Sequence, residues 1–297
     1  MIDGSAWVSA HAFFQDDLDL LVTHVVAPLT EELAAEGMAG EFFFLRYWDG
    51  GPHLRLRVLP APGASRGEVE RLIGERFGGY LSGNPSADHL SAAQYAALAP
   101  ELARKEDMSS WTTRPYPNNS VSFIAYRPEY ERYGHGAAMQ AVERHFAESS
   151  RIALPVVTQA VPPKRRATLA LGCILAAWFV GCADPAGLRT WLGNRYRGDA
   201  AQLPTLSRVV ELARTARRLA EGGPDSPGDG ALACWTRSVA GLREALSAGQ
   251  AGAGDVLRVV DVCAHLLCNR LGVSLVTEPV LRELAAKAIE AMHRERN

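Results

Sequence analysis

Between Glu41 and Arg57 the chain reads EFFFLRYWDGGPHLRLR. An apolar-aromatic run enters the turn signal Asp49-Gly50-Gly51, and a strictly alternating run leaves it, which predicts a β-hairpin over 41–59. Alternation also predicts strands over 6–14 and 120–128. Helical spacing runs through 16–37, with acids at its start and Gly37 as a stop, while Pro28 inside it predicts a kink or a break. Residues 66–79 and 91–105 read as helices around the turn-rich SGNPSAD. From Gly136 onward the pattern changes to the 3.6 period, carried by 135–160, 164–181, 206–223, 231–249, 255–272 and 279–297. The expected fold class is α+β, with an antiparallel-rich sheet in the N-terminal half packed against a C-terminal helical layer. No long linker separates the α+β part (1–135) from the helical part (136–297), so one compact unit is expected.

Composition narrows the function classes. With 297 residues, 47% apolar and 22% charged, the chain is an ordinary globular sequence with room for a full core. Its formal net charge of -2 supplies no basic field, so nucleic acid is not an expected partner. The N-terminus lacks the basic start of a signal peptide. The most apolar run, 168–182, falls short of the ~18 residues of a membrane span, so no membrane partner and a cytoplasmic location are expected. Cys173, Cys182, Cys234, Cys263 and Cys268 are odd in number, form no CxxC pair and suit buried thiols in a reducing compartment.

Three stretches carry candidate chemistry. In the second hairpin strand His53, Arg55 and Arg57 fall at i, i+2 and i+4, on the face opposite Leu54, Leu56 and Val58. Arg46, on the partner strand, is expected to reach that same face. Three gathered guanidiniums need anionic partners, from the protein or from a ligand. The alternative is a solvated hairpin face. In YRPEYERYGHG, Glu129 and Arg132 share a face if a helical turn follows Pro128; the plain reading is a surface salt bridge. In CAHLLCNRLG, His265 lies on a mostly apolar helix with Asn269 and Arg270 one turn later. A satisfied core histidine and a helix-terminal arginine are the bland readings there. No GxGxxG, P-loop, HExxH or GxSxG element sits where its fold would require it, and the remaining histidines are treated as structural or exposed.

Taken in order, FFFLRYWDGGPHLRLR, YRPEYERYGHG, HFAESSRIAL and AHLLCNRLG resemble the C-terminal, glutamate-elimination domain of class I lantibiotic dehydratases, which also occurs as the stand-alone thiopeptide-type bacteriocin biosynthesis protein. The resemblance runs from Trp7 to the last helix. It implies a leader-bearing ribosomal precursor peptide as partner, glutamylated on Ser or Thr by a separate dehydratase subunit, from which glutamate is removed to leave dehydroalanine or dehydrobutyrine. It further implies Arg46, Arg55, Arg57 and Arg132 as carboxylate ligands, Glu129 as holder of the glutamyl ammonium, and His265 in proton transfer. His53, Tyr133 and Arg270 are expected on the substrate side. The helical half is expected to deliver His265 to the arginine-lined sheet face. No metal or organic cofactor is implied. Three positions depart from the family pattern: His135 between two glycines, Leu266 where Met is common, and Ala147-Glu148-Ser149 for Ala-Asp-Ser. Two other readings stay open, a thiopeptide pyridine synthase joining two dehydroalanines by formal [4+2] cycloaddition with loss of water and leader, and a leader-binding module without catalysis. The His53-Leu54-Arg55-Leu56-Arg57 run favours elimination.

Overall fold

The computed structural model describes residues 6–106, 108–182, 184–193, 195, 206–249 and 251–295. They fall into two compact units, Met1–Arg127 and Pro128–Asn297, dividing just ahead of the change in periodicity.

The first unit is built on β1 (Val8–Phe13), α1 (Leu18–Leu21), α2 (Ala27–Ala35), β2 (Ala39–Tyr47), β3 (His53–Pro60), α3 (Arg66–Gly83), α4 (Ala92–Lys105) and β4 (Ser120–Phe123). The strands form one antiparallel sheet in the order β2-β3-β1-β4. Pro28 does not break its helical segment. A widened turn at Val22–Val26 precedes it, and Pro28 sits in the first turn of α2, where its missing N–H costs little. Only Ser120–Phe123 of the expected 120–128 strand is paired as strand.

The pleat gives the sheet two unlike faces. Val8, Ala10 and Ala12 of β1 stand with Leu54, Leu56 and Val58 of β3, all of them buried. This is the core side. Here α3 packs on β1 and β4, with the Phe123 ring 3.6 Å from where a Cβ on Gly74 would stand. The opposite face carries the odd-numbered residues of β1, β2 and β3.

The connection 48–52 decides which β2 residues join which face. Gly50 and Gly51 both take positive φ (87° and 105°), where a side chain would be strained. A Cβ on Gly50 would also stand 2.8 Å from the Tyr116 ring. Buried Tyr95 of α4 locks the turn: its hydroxyl accepts from Gly50 N (2.8 Å) and donates to Thr112 O (2.7 Å). Asp49 Oδ1 accepts from Thr112 N at 2.7 Å. The odd-length connection pairs Tyr47 with His53, and therefore Arg46 with Leu54.

The second unit contains α5 (Tyr130–Tyr133), α6 (Ala137–Thr158), α7 (Pro163–Gly181), α8 (Pro185–Gly193), α9 (Leu206–Glu221), α10 (Ala231–Ala248), α11 (Ala253–Arg270) and α12 (Thr277–Arg294). Six of these match the expected helical segments, whereas α8 is an addition the spacing did not announce. α7 is central, with α9, α10, α11 and α12 all packed against it. That accounts for its apolar run: Ala170–Val180 is buried almost without interruption. Gly181 lets α11 approach, since a Cβ there would meet Val260 Cγ2 at 2.5 Å. Among the described residues no helix is long and apolar enough to cross a membrane. All five cysteines are free, and Cys173, Cys263 and Cys268 are buried.

Candidate active site

Two clusters, one in each unit, hold four of the residues singled out by the sequence: His53, Arg55 and Arg57 in the first and His265 in the second. On the sheet, His11 of β1 lies opposite Arg55 of β3, and Tyr47 of β2 lies opposite His53. The His53 ring is fully buried. Its Nδ1–H donates to Gly51 O at 2.8 Å, which leaves Nε2 to accept from Arg55 Nε–H at 3.0 Å. Burial first, then the Arg55 guanidinium, pushes His53 down to about 3. His11 stacks on His53 with centroids 4.9 Å apart. Burial and the charges of Arg55, His53 and Arg57 bring it to about 2. Both imidazoles are therefore neutral, and His11 Nε2 is buried with no hydrogen-bond partner among the described residues.

The two arginines of this face are held by π-systems. Arg55 lies 3.5 Å over the Tyr47 ring, and Arg57 lies 4.5 Å over Tyr126 and 5.2 Å from Phe43. Arg55 makes no salt bridge among the described residues. Burial works against its charge, while Tyr47 and Asp49 favour it. Burial, then the Glu106 carboxylate, drives the Tyr47 hydroxyl up to about 12. A fixed, dehydrated cation beside neutral imidazoles suits a carboxylate ligand.

Arg46 does not belong to this cluster. Its side chain points to the core face, where it pairs with Asp19 of α1 at 2.5 Å. The expectation of three arginines on one face is thus corrected to two, because an odd connection fixes the opposite parity for position 46.

In the second unit His265 lies on α11, its side chain 38% exposed, with Nδ1 2.8 Å from Glu278 Oε2 on α12. Glu278 is buried in the first turn of α12, where the helix dipole favours an acid. Arg282, one turn on, donates Nε–H to Glu278 Oε1 at 2.7 Å and also pairs with Asp261 Oδ1. Trp178 Nε1 of α7 donates to Asp261 Oδ1 at 2.7 Å. Asp261 and His265 are four apart on α11, as Glu278 and Arg282 are on α12, so two helix faces interlock through four side chains. Burial raises the Glu278 pKa, but the His265 hydrogen bond and the charges of His265 and Arg282 outweigh it and hold the carboxyl below its usual range. The carboxylate fixes the ring orientation through Nδ1 and leaves Nε2 as the other nitrogen of a part-exposed side chain.

The remaining expected residues divide. Glu129 and Arg132 form a 2.9 Å pair across α5 with side chains 57% and 49% exposed, the plain surface arrangement. Tyr133 is buried with its ring edge-on to Phe146, and burial, then Cys263, raises its hydroxyl pKa. Arg270 is 0% exposed. It donates to Ser150 Oγ (3.0 Å) and Ser149 Oγ (3.2 Å) of α6 and faces Phe146. From this fully buried position it ties α11 to α6.

Sequence reasoning missed His11, Tyr47, Glu278, Asp261 and Arg282. The i, i+4 pairs Asp261–His265 and Glu278–Arg282 were a legible signal. The last helix, taken to begin at Pro279, left Glu278 just outside.

Residues 7–289 match the lantibiotic biosynthesis dehydratase C-terminal family. No curated protein matches the sequence. Among solved structures, the pyridine synthase TbtD from thiomuracin biosynthesis superposes with a TM-score of 0.75 at 20% identity, covering 97% of this chain and 99% of that one. The tRNA-dependent lantibiotic dehydratase MibB from Microbispora sp. 107891 gives 0.59 at 19% identity over all of this chain but only 29% of its own. TsrL gives 0.57 at 16% identity, covering 97% and 95%.

Proposed function

Because the chain belongs to the lantibiotic biosynthesis dehydratase C-terminal family, we propose that it matures a ribosomal precursor peptide by removing glutamate from glutamylated Ser or Thr, leaving dehydroalanine or dehydrobutyrine. His265 Nε2 takes the Cα proton, and the negative charge of Glu278 stabilises the imidazolium that results. The Cα–H electron pair becomes the new double bond as the Cβ–O bond breaks. Glutamate departs as a free carboxylate carrying that bond's electrons. Arg55 and Arg57 bind its oxygens, and Arg132 with Glu129 meets the glutamyl amino-acid group. A positioned base contributes about 10²–10⁴-fold, and fixed charges at the departing carboxylate add about 10²–10³-fold. The observation that carries this reading is the His265–Glu278 pair, a part-exposed imidazole set by a buried carboxylate.

A second reading is the formal [4+2] cycloaddition of two dehydroalanines. Its support is the fold shared with TbtD over nearly the whole of both chains. Mass spectrometry of two leader-bearing peptides separates them, one bearing a glutamyl-Ser ester and one bearing two dehydroalanines. Loss of glutamate from the first with the second unchanged is the expected result. A pyridine macrocycle from the second, with the first unchanged, overturns elimination in favour of cycloaddition.

A further inference from the structure

A cavity of about 570 Å³ opens between α6 and α10, wholly inside the second unit. Arg144, His145, Glu148 and Arg151 of α6 line it together with Arg237 and Ser238 of α10. None of them takes part in the chemistry proposed above. Such a volume accommodates a short peptide segment rather than a single small ion.

The polar groups are arranged so that Arg144 and Arg237 form no ion pair among the described residues. Arg237 is fixed by neutral acceptors: its guanidinium donates to Ser226 O (2.8 Å), Gly228 O (2.6 Å) and Cys234 Sγ (3.3 Å). Arg144 is exposed and makes no ion pair among the described residues. Glu148, one helical turn from Arg144, is placed to neutralise it. Instead the Ser238 hydroxyl donates to Glu148 Oε2, while Ser238 Oγ accepts from His145 Nδ1–H at 2.7 Å. His145 is buried against Trp235, and burial followed by the Arg270 charge pushes it down to about 3, so it remains a neutral donor. The hydroxyl thus engages the one carboxylate of the lining, and neither Arg144 nor Arg237 pairs with it. Ile152 and Leu242 add an aliphatic wall that an inorganic anion would leave bare.

We propose that this cavity binds an acidic, partly aliphatic peptide segment, whose carboxylates meet Arg144 and Arg237 while its apolar side chains cover Ile152 and Leu242. That the segment is the unmodified flank of the precursor peptide rests on the proposed function; the preference for acidic peptide does not.

Fluorescence anisotropy of the full chain with a labelled, amidated peptide of mixed Glu, Asp, Leu and Ala tests it. Saturable binding is expected, weakened about tenfold by Arg144→Glu. Glu148→Gln, which removes the competing carboxylate, is expected to tighten binding, an effect that a damaged fold would not produce. Equal affinity of wild type, Arg144→Glu and Glu148→Gln would overturn the proposal. So would displacement of the peptide by inorganic phosphate at matched ionic strength, or equal binding of a Lys-rich peptide. If acidic peptide binds as expected but no glutamate is released from the ester substrate, the cavity stands and the elimination reading fails.

Discussion

The sheet face and the α11–α12 corner each set a histidine close to an arginine, and they do opposite things with it. At His53 the guanidinium of Arg55 is the direct partner. No carboxylate intervenes, and burial removes water, so the ring is neutral and accepts at Nε2. At His265 a carboxylate stands between ring and guanidinium, Glu278 bonding His265 through one oxygen and Arg282 through the other. The first arrangement makes a fixed cationic surface that waits for an anion. The second gives an imidazole that can gain a proton at Nε2 while its charge is balanced. What lies between a histidine and an arginine decides whether the pair binds or transfers protons.

The comparison breaks most visibly at Glu278. Glu278→Gln keeps the shape of the corner but removes the charge that balances an imidazolium. Turnover on the glutamyl ester should fall on the order of 10²–10³-fold, read as glutamate release, with the far-ultraviolet dichroism unchanged. On the other side, Arg57→Ala should lower kcat/KM by about 10²-fold. Arg55→Lys should not rescue an Arg55 defect, because lysine lacks the planar fork that stacks on Tyr47 and donates to His53.

Acid stability sharpens the contrast at smaller cost. His11, His53 and His145 titrate in the unfolded chain near 6.5 but near 2 to 3 in the fold, so below pH 6.5 the unfolded state binds more protons. Their contribution is complete above that pH and is lost as pH falls toward 3, by up to about 1.4 kcal/mol per pH unit for each. Urea denaturation between pH 7 and pH 4 should show this slope, and His11→Phe should flatten it. The smallest effect belongs to Arg46. Its pair with Asp19 is worth about 1 kcal/mol, so Arg46→Ala should lower stability slightly and leave turnover untouched.

The sheet and most helices were legible because alternation and the 3.6 period track burial directly. The hairpin showed that His53, Arg55 and Arg57 share a face, since that depends only on the pleat of one strand. Arg46 was misplaced because its face depends on whether the connection is odd or even. That is settled by the glycines at 50 and 51 and by Tyr95, which lies far along the chain. The setting of Arg270 was hidden for a related reason. Its two serine partners on α6 are over a hundred residues away, and nothing in CNRLG distinguishes a buried cross-brace from a terminal charge. His265 was found by resemblance. Its carboxylate was missed because a helix start was placed two residues late, at Pro279 instead of Thr277.

The central claim is that His265 removes the Cα proton with Glu278 behind it. Its most direct test is single-turnover release of glutamate from a glutamyl-Ser peptide carrying either hydrogen or deuterium at Cα, with wild type and His265→Ala. Slower release from the deuterated peptide by wild type, and a rate about 10³-fold lower in His265→Ala, is the predicted result. Release by His265→Ala at the wild-type rate would contradict it.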